Sequence, residues 1–121
     1  MAEFRELISK RGTLILAGKS AESNEKLIGQ VQPNEEVFHT EKRGSPFVNI
    51  KGKPKKGDIE EAAIFCAFYS HDYRDNKSDV IVHRFKGNDI YKRKDMEKGT
   101  FGIKKLKKIK IKKSLIEEFK N

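Results

Sequence analysis

The stretch Asp58-Ile59-Glu60-Glu61-Ala62-Ala63-Ile64-Phe65-Cys66-Ala67-Phe68-Tyr69 decides the reading of the fold. Asp58, followed three residues later by Glu61, has the spacing of a capping box, so a helix over about 58–71 is predicted. Asp58, Glu60 and Glu61 also place negative charge at the positive end of its dipole. From Ala62 onward apolar atoms fall on every side, and such a helix has to be packed on more than one face. It is the expected centre of the core.

Outward from this helix, short apolar runs alternate with turns. Residues 4–8 and 13–17, separated by Ser9-Lys10-Arg11-Gly12, read as a hairpin whose Gly supplies a positive φ. Ser20 can cap a helix over 20–31 with Asn24, Leu27, Ile28 and Val31 on one face. Residues 36–40 and 47–50 form a second expected hairpin across a loop containing Gly44, Ser45 and Pro46. Residues 72–78 read as polar loop, and 79–85, 90–93 and 100–103 as strands. In Lys107-Lys108-Ile109-Lys110-Ile111-Lys112-Lys113 the period of two predicts a strand with one lysine face, and Ser114 is the expected cap of a last helical turn through Phe119. The sum is an α+β fold: a single compact domain over 1–121, with about six or seven short, mostly antiparallel strands and two main helices.

The charge is unevenly distributed. The 121 residues hold 27 Lys+Arg and 18 Asp+Glu, a formal +9. Residues 1–83 carry 13 basic and 13 acidic side chains, whereas 84–113 carry 13 basic and 3 acidic. The excess therefore sits in one segment, the footprint of a polyanion binder rather than of an evenly solvated surface. No apolar run approaches the roughly 20 residues of a membrane span. The opening residues lack a basic and then apolar leader, and one cysteine, Cys66, allows no internal disulfide, so a cytoplasmic location is expected.

Catalytic and metal-binding patterns are absent from the sequence. His39, Cys66, His71 and His83 have no zinc-ligand spacing, and there is no G-x-S-x-G, Gly-rich phosphate loop or H-E-x-x-H. No metal or cofactor is expected, and Cys66 reads as a small core hydrophobe. Asn24 is anomalous on an apolar helix stripe: it bonds a neighbouring backbone group or faces a ligand. His39 shares a strand face with Val37, while Phe38 takes the other. Tyr69, Tyr73, Phe85 and Tyr91 lie near basic residues, where they either stack on bases or fill the core.

These blocks resemble the NFACT-R domain, an RNA-binding module. Gly18-Lys19-Ser20-Ala21-Glu22-Ser23-Asn24-Glu25-Lys26-Leu27 matches its G-[RK]-x-A-x-x-N-[DE]-x-L pattern. Glu36-Val37-Phe38-His39-Thr40 and Gly44-Ser45-Pro46-Phe47-Val48-Asn49-Ile50 are similar to its D-x-[WF]-x-H and G-S-H-V-V-I segments. Pro46 stands where the family typically has His, and Glu36 where it has Asp. The likeness runs from about Phe4 to Ile111. It implies RNA as partner, tRNA or rRNA, in the setting of ribosome-associated quality control at the large ribosomal subunit. Only this domain of such proteins is matched, so no tailing activity is carried over.

The leading expectation is a non-enzymatic RNA-binding module. Lys92, Arg93, Lys94, Lys104, Lys105, Lys108, Lys110 and Lys112 are expected on phosphates, and Lys19, Asn24, His39 and Arg43 at a more selective pocket. DNA is an alternative polyanion, because phosphate contacts do not sense the 2′-hydroxyl. Two other classes compete: a nucleic-acid-processing enzyme using His39 and a carboxylate such as Glu36, and a ribosome- or protein-docking module exposing part of the helix from Asp58.

Overall fold

The computed structural model describes residues 3–120, the side chain of Lys120 excepted. Among these residues the order is β1 (Arg5–Ile8), β2 (Leu14–Ala17), α1 (Ala21–Gly29), β3 (Glu36–Thr40), β4 (Val48–Ile50), α2 (Asp58–Phe68), α3 (His71–Asn76), β5 (Val80–Lys86), β6 (Ile90–Tyr91), β7 (Gly102–Ile103), β8 (Lys107–Ile111) and α4 (Lys113–Lys120). Six strands make one antiparallel sheet in the order β1-β2-β4-β3-β5-β8, and β6 pairs with β7 apart from it. The fold is α+β, with both expected hairpins present.

Period-two side-chain alternation splits the core in two. Ile15, Ala17, Phe38, Val48, Ile50, Val80 and Val82 face α2 and α4, and Leu16, Val37 and Phe85 face α1 and the β6–β7 ribbon. On β8, Ile109 and Ile111 join the first of these faces, which turns Lys108 and Lys110 toward the second. The lysine-strand expectation holds.

Helix α2 is apolar on several sides because both the sheet and α4 pack on it, with Ile64 and Phe68 half-buried. Ala62, Ala63 and Cys66 are fully buried, and Phe65 and Phe68 stack on Phe119 of α4 at centroid distances of 5.7 and 5.1 Å. Helix α4 covers one side of α2. Burial pushes the Cys66 thiol up to about 12, as befits a core hydrophobe.

Several local expectations give way. Asp58 does not cap α2: Gly57, at φ +88°, stands at the cap, and the Asp58 carboxylate accepts instead from the Lys55 N–H at 2.7 Å. Glu61 accepts from the Lys10 N–H of the first hairpin loop at 3.2 Å, so the D-x-x-E pair fastens two loops rather than one helix end. The helix stops at Phe68, short of residue 71, because Ser70 caps a new one by accepting from the Tyr73 N–H. That helix, α3, fills most of the span expected as loop. Helix α1 ends at Gly29, two residues before Val31. Ser114 lies inside α4, whose first N–H, at Lys113, is bonded by Asp79 at 2.8 Å.

Glu36, with its side chain only 2% exposed, is held by Arg84 through two bonds of 2.9 and 3.1 Å and by Lys86 at 2.8 Å. Burial alone would raise its pKa, but the two cations outweigh this and hold it below the ordinary 4.5. Between the two values the unfolded chain binds more protons than the folded one, so stability is lost as pH falls through that window. Glu36→Gln is expected to cost ~1–3 kcal/mol at neutral pH in urea unfolding and to flatten the decline of stability below about pH 4.5. An unchanged acid slope would count against this role.

Candidate nucleic-acid interface

A cleft of about 990 Å³ opens on the second face of the sheet, between the start of α1, the β3–β4 loop and the β6–β7 loop. Its geometry begins with His39, which alternation on β3 puts on this face beside Val37. The ring lies on Phe47 at a centroid distance of 4.5 Å. Nδ1 is 2.7 Å from the Thr40 carbonyl; a carbonyl can only accept, so Nδ1 carries the proton. Burial lowers the pKa of the ring, outweighing that bond, and His83, its partner in register on β5, adds to the lowering. His39 is therefore neutral at physiological pH.

Asn24 resolves in favour of a backbone bond: its Oδ1 accepts from the Phe47 N–H at 3.1 Å. The contact demands a glycine opposite, because a Cβ at position 18 would fall 2.0 Å from Asn24 Oδ1. The Gly18 N–H also donates to the Phe47 carbonyl, so this trio clamps α1 to the β3–β4 loop. Ser20 caps α1, reciprocally with Ser23, and leaves Lys19 on the cleft wall.

The opposite wall is the β6–β7 loop, and Lys92 holds it. Its ammonium reaches the Glu25 carboxylate at 2.6 Å and the carbonyls of Glu97 and Thr100 at 2.5 and 2.7 Å, over the Phe101 ring at 4.6 Å. All three donors are used within the protein, so Lys92, expected on phosphate, acts here as a structural strap. Lys92, ahead of the Gly99 N–H bond, holds the Glu25 carboxyl below its ordinary pKa.

The cleft brings together Lys19, Asn24, His39, Arg43 and Arg93 from the expected set. Lys108 and Lys110 lie on the same sheet face but outside the cleft lining, paired to Glu41 at 2.7 Å and Asp79 at 3.8 Å. Lys105 lines a separate groove of about 350 Å³ with Lys86, Leu106 and Lys107. Lys94, Lys104 and Lys112 are exposed elsewhere on the surface.

Sequence reasoning missed Arg5 and Lys98, which also line the cleft. Lys98 was recoverable from the basic segment. Arg5 arrives only through the β1–β2 register, which sets it against Ala17 and places its guanidinium 4.1 Å over the half-exposed Tyr69 ring. His39 and Glu36 do not pair with each other: they point to opposite faces of β3, and Glu36 is bound by Arg84 and Lys86. Among the described residues no cluster of His, Cys, Asp or Glu is arranged to hold a metal ion, and no helix is long and apolar enough to cross a membrane.

A family model described as the NFACT protein RNA binding domain matches residues 3–105. No curated protein matches. Among solved structures, the C-terminal part of the fibronectin/fibrinogen-binding protein from Streptococcus suis superimposes with a TM-score of 0.82 at 19% identity. The match covers 98% of this chain and 49% of that one. At that identity the likeness shows the fold, and the chain spans about half the length of that structure.

Replacing Lys92 tests the strap. Lys92→Met is expected to destabilise by about 1–2 kcal/mol, less than a buried ion pair because both partners are about one-third exposed. It is also expected to accelerate hydrogen exchange at the Gly99 amide. Exchange at Gly99 as slow as in the parent would contradict the assignment.

Proposed function

The chain belongs to the NFACT RNA-binding domain family, and from that premise we propose that it binds structured RNA, tRNA or rRNA, through the cleft and its basic surroundings. One observation carries the reading: residues from the electrically balanced body, Lys19, Asn24, His39 and Arg43, and residues from the basic segment, Arg93 and Lys98, face one cleft. The two parts of the chain that the charge count separates thus act on one ligand. Arginines and lysines at the rim hold phosphates and release counterions, a sequence-independent contribution. Lys108 and Lys110 extend the basic surface along the same face of the sheet. Arg5, stacked over Tyr69 at the edge of the cleft, adds another cation for phosphates.

The proposed context is ribosome-associated quality control in the cytoplasm, with the large ribosomal subunit as the site of action. The role proposed is binding rather than turnover, in keeping with an RNA-binding domain family.

Titration of labelled tRNA across a salt series tests the proposal. The expected plot of log K against log salt is linear and falls with a slope of about −3 to −5, the release of a handful of counterions. Arg43→Ala with Arg93→Ala is expected to weaken binding by about tenfold or more and to make the slope shallower by one to two. Absence of binding at low salt, or a flat slope, would overturn it.

A further inference from the structure

The cleft is rich in donors, and His39 offers a side-chain acceptor in a fixed direction. Arg5, Arg43, Arg93 and Lys98 can only donate. Of the three lining carboxylates, Glu41 is taken by Lys108 and His83 and Asp95 by Arg93, while Glu97 is exposed. Three histidines also line the cleft, His39, His71 and His83, and of these His39 has its Nδ1 proton fixed by a backbone carbonyl. With its Nδ1 proton committed to the Thr40 carbonyl, the other ring nitrogen, Nε2, carries a lone pair and no proton. Among the described residues the buried side-chain atoms left without a hydrogen bond are Thr13 Oγ1 and Asp58 Oδ1, so Nε2 is not sealed into the core. It belongs to a residue that lines the cleft, and among the described residues no protein donor occupies it. Packing on Phe47 and the Thr40 bond fix the ring, so this acceptor is oriented before any ligand arrives.

An acceptor in such a place selects a ligand that brings a donor. Phosphodiester oxygens have none. Base edges have donors that change with the base. The ribose 2′-hydroxyl has one at every nucleotide, beside the phosphates that the surrounding cations attract, and DNA lacks it. We infer that His39 Nε2 accepts a hydrogen bond from a ribose 2′-hydroxyl in the cleft, which makes His39 the residue that distinguishes RNA from DNA. The inference rests on the RNA-binding reading above and adds to it the atom that reads the sugar.

Three stem-loops of one sequence, in RNA, DNA and 2′-O-methyl RNA, separate the possibilities by fluorescence anisotropy. The 2′-O-methyl form keeps the RNA helix shape and loses only the donor. The parent protein is expected to bind RNA roughly three- to tenfold more tightly than either counterpart. His39→Phe keeps an aromatic ring on Phe47 and removes the acceptor. It is expected to weaken RNA alone, so that RNA and 2′-O-methyl RNA bind equally. Equal binding of RNA and 2′-O-methyl RNA by the parent protein, a comparison that needs no variant to fold, would overturn the inference while leaving RNA binding intact. So would a His39→Phe variant that loses affinity for all three by the same factor. Failure of the parent to bind any of the three would instead strike the functional proposal.

Discussion

The functional face depends on the junction of Glu25 with Lys92. Its chemistry is simple: one carboxylate on α1 accepts from the Lys92 ammonium and from the Gly99 N–H, and the same ammonium closes on two carbonyls of its own loop. An ammonium with all three donors satisfied has no reason to leave, and the Phe101 ring beneath it excludes water from one side. The loop is therefore a wall and not a tether. Gly99, at φ +83°, passes so close to α1 that a Cβ there would come within 2.9 Å of Ala21. Without this junction Arg93 and Lys98 would have no fixed position relative to His39.

The other wall is set by the Gly18, Asn24 and Phe47 clamp, and the two walls share a single helix. Glu25 and Asn24 are neighbours on α1, one bonding the β6–β7 loop and the other the β3–β4 loop. The short helix is thus the keystone between a basic segment late in the chain and a neutral one early in it. The sheet supplies the floor, because period-two alternation on β3 and β5 sets His39 against His83 on the side away from α2. The hydrophobic load is carried on the opposite face by α2 and α4, which leaves this face available for a polar cleft.

Much of the fold was legible in the sequence because strands and turns leave local marks. Both hairpins, the β8 alternation and the burial of α2 on more than one face follow from spacing alone. What failed was local capping: Asp58 and Glu61 have the spacing of a box yet serve the Lys55 and Lys10 amides, and Ser70 starts a helix where the polarity of 72–78 suggested a loop. A capping pattern states which groups a side chain can bond, not which of several nearby amides it will. The site was half legible. His39, Asn24 and Arg43 fall together as the family-like blocks implied, whereas Lys92 looked like one more surface lysine. Its role depends on Glu25, 67 residues away, and charge counts carry no information about pairing at that range. Arg5 was hidden for the same reason, since strand register delivers it.

The central claim is that one cleft, assembled from the start of α1, the β3–β4 loop and the β6–β7 loop, receives the RNA. Amide chemical-shift mapping of the isotope-labelled protein during titration with tRNA tests it most directly. The account expects the largest changes at residues 18–24, 39–47 and 93–101, with α2 and α4 unaffected. Changes confined to α2 and α4, or to the groove around Leu106, would contradict it.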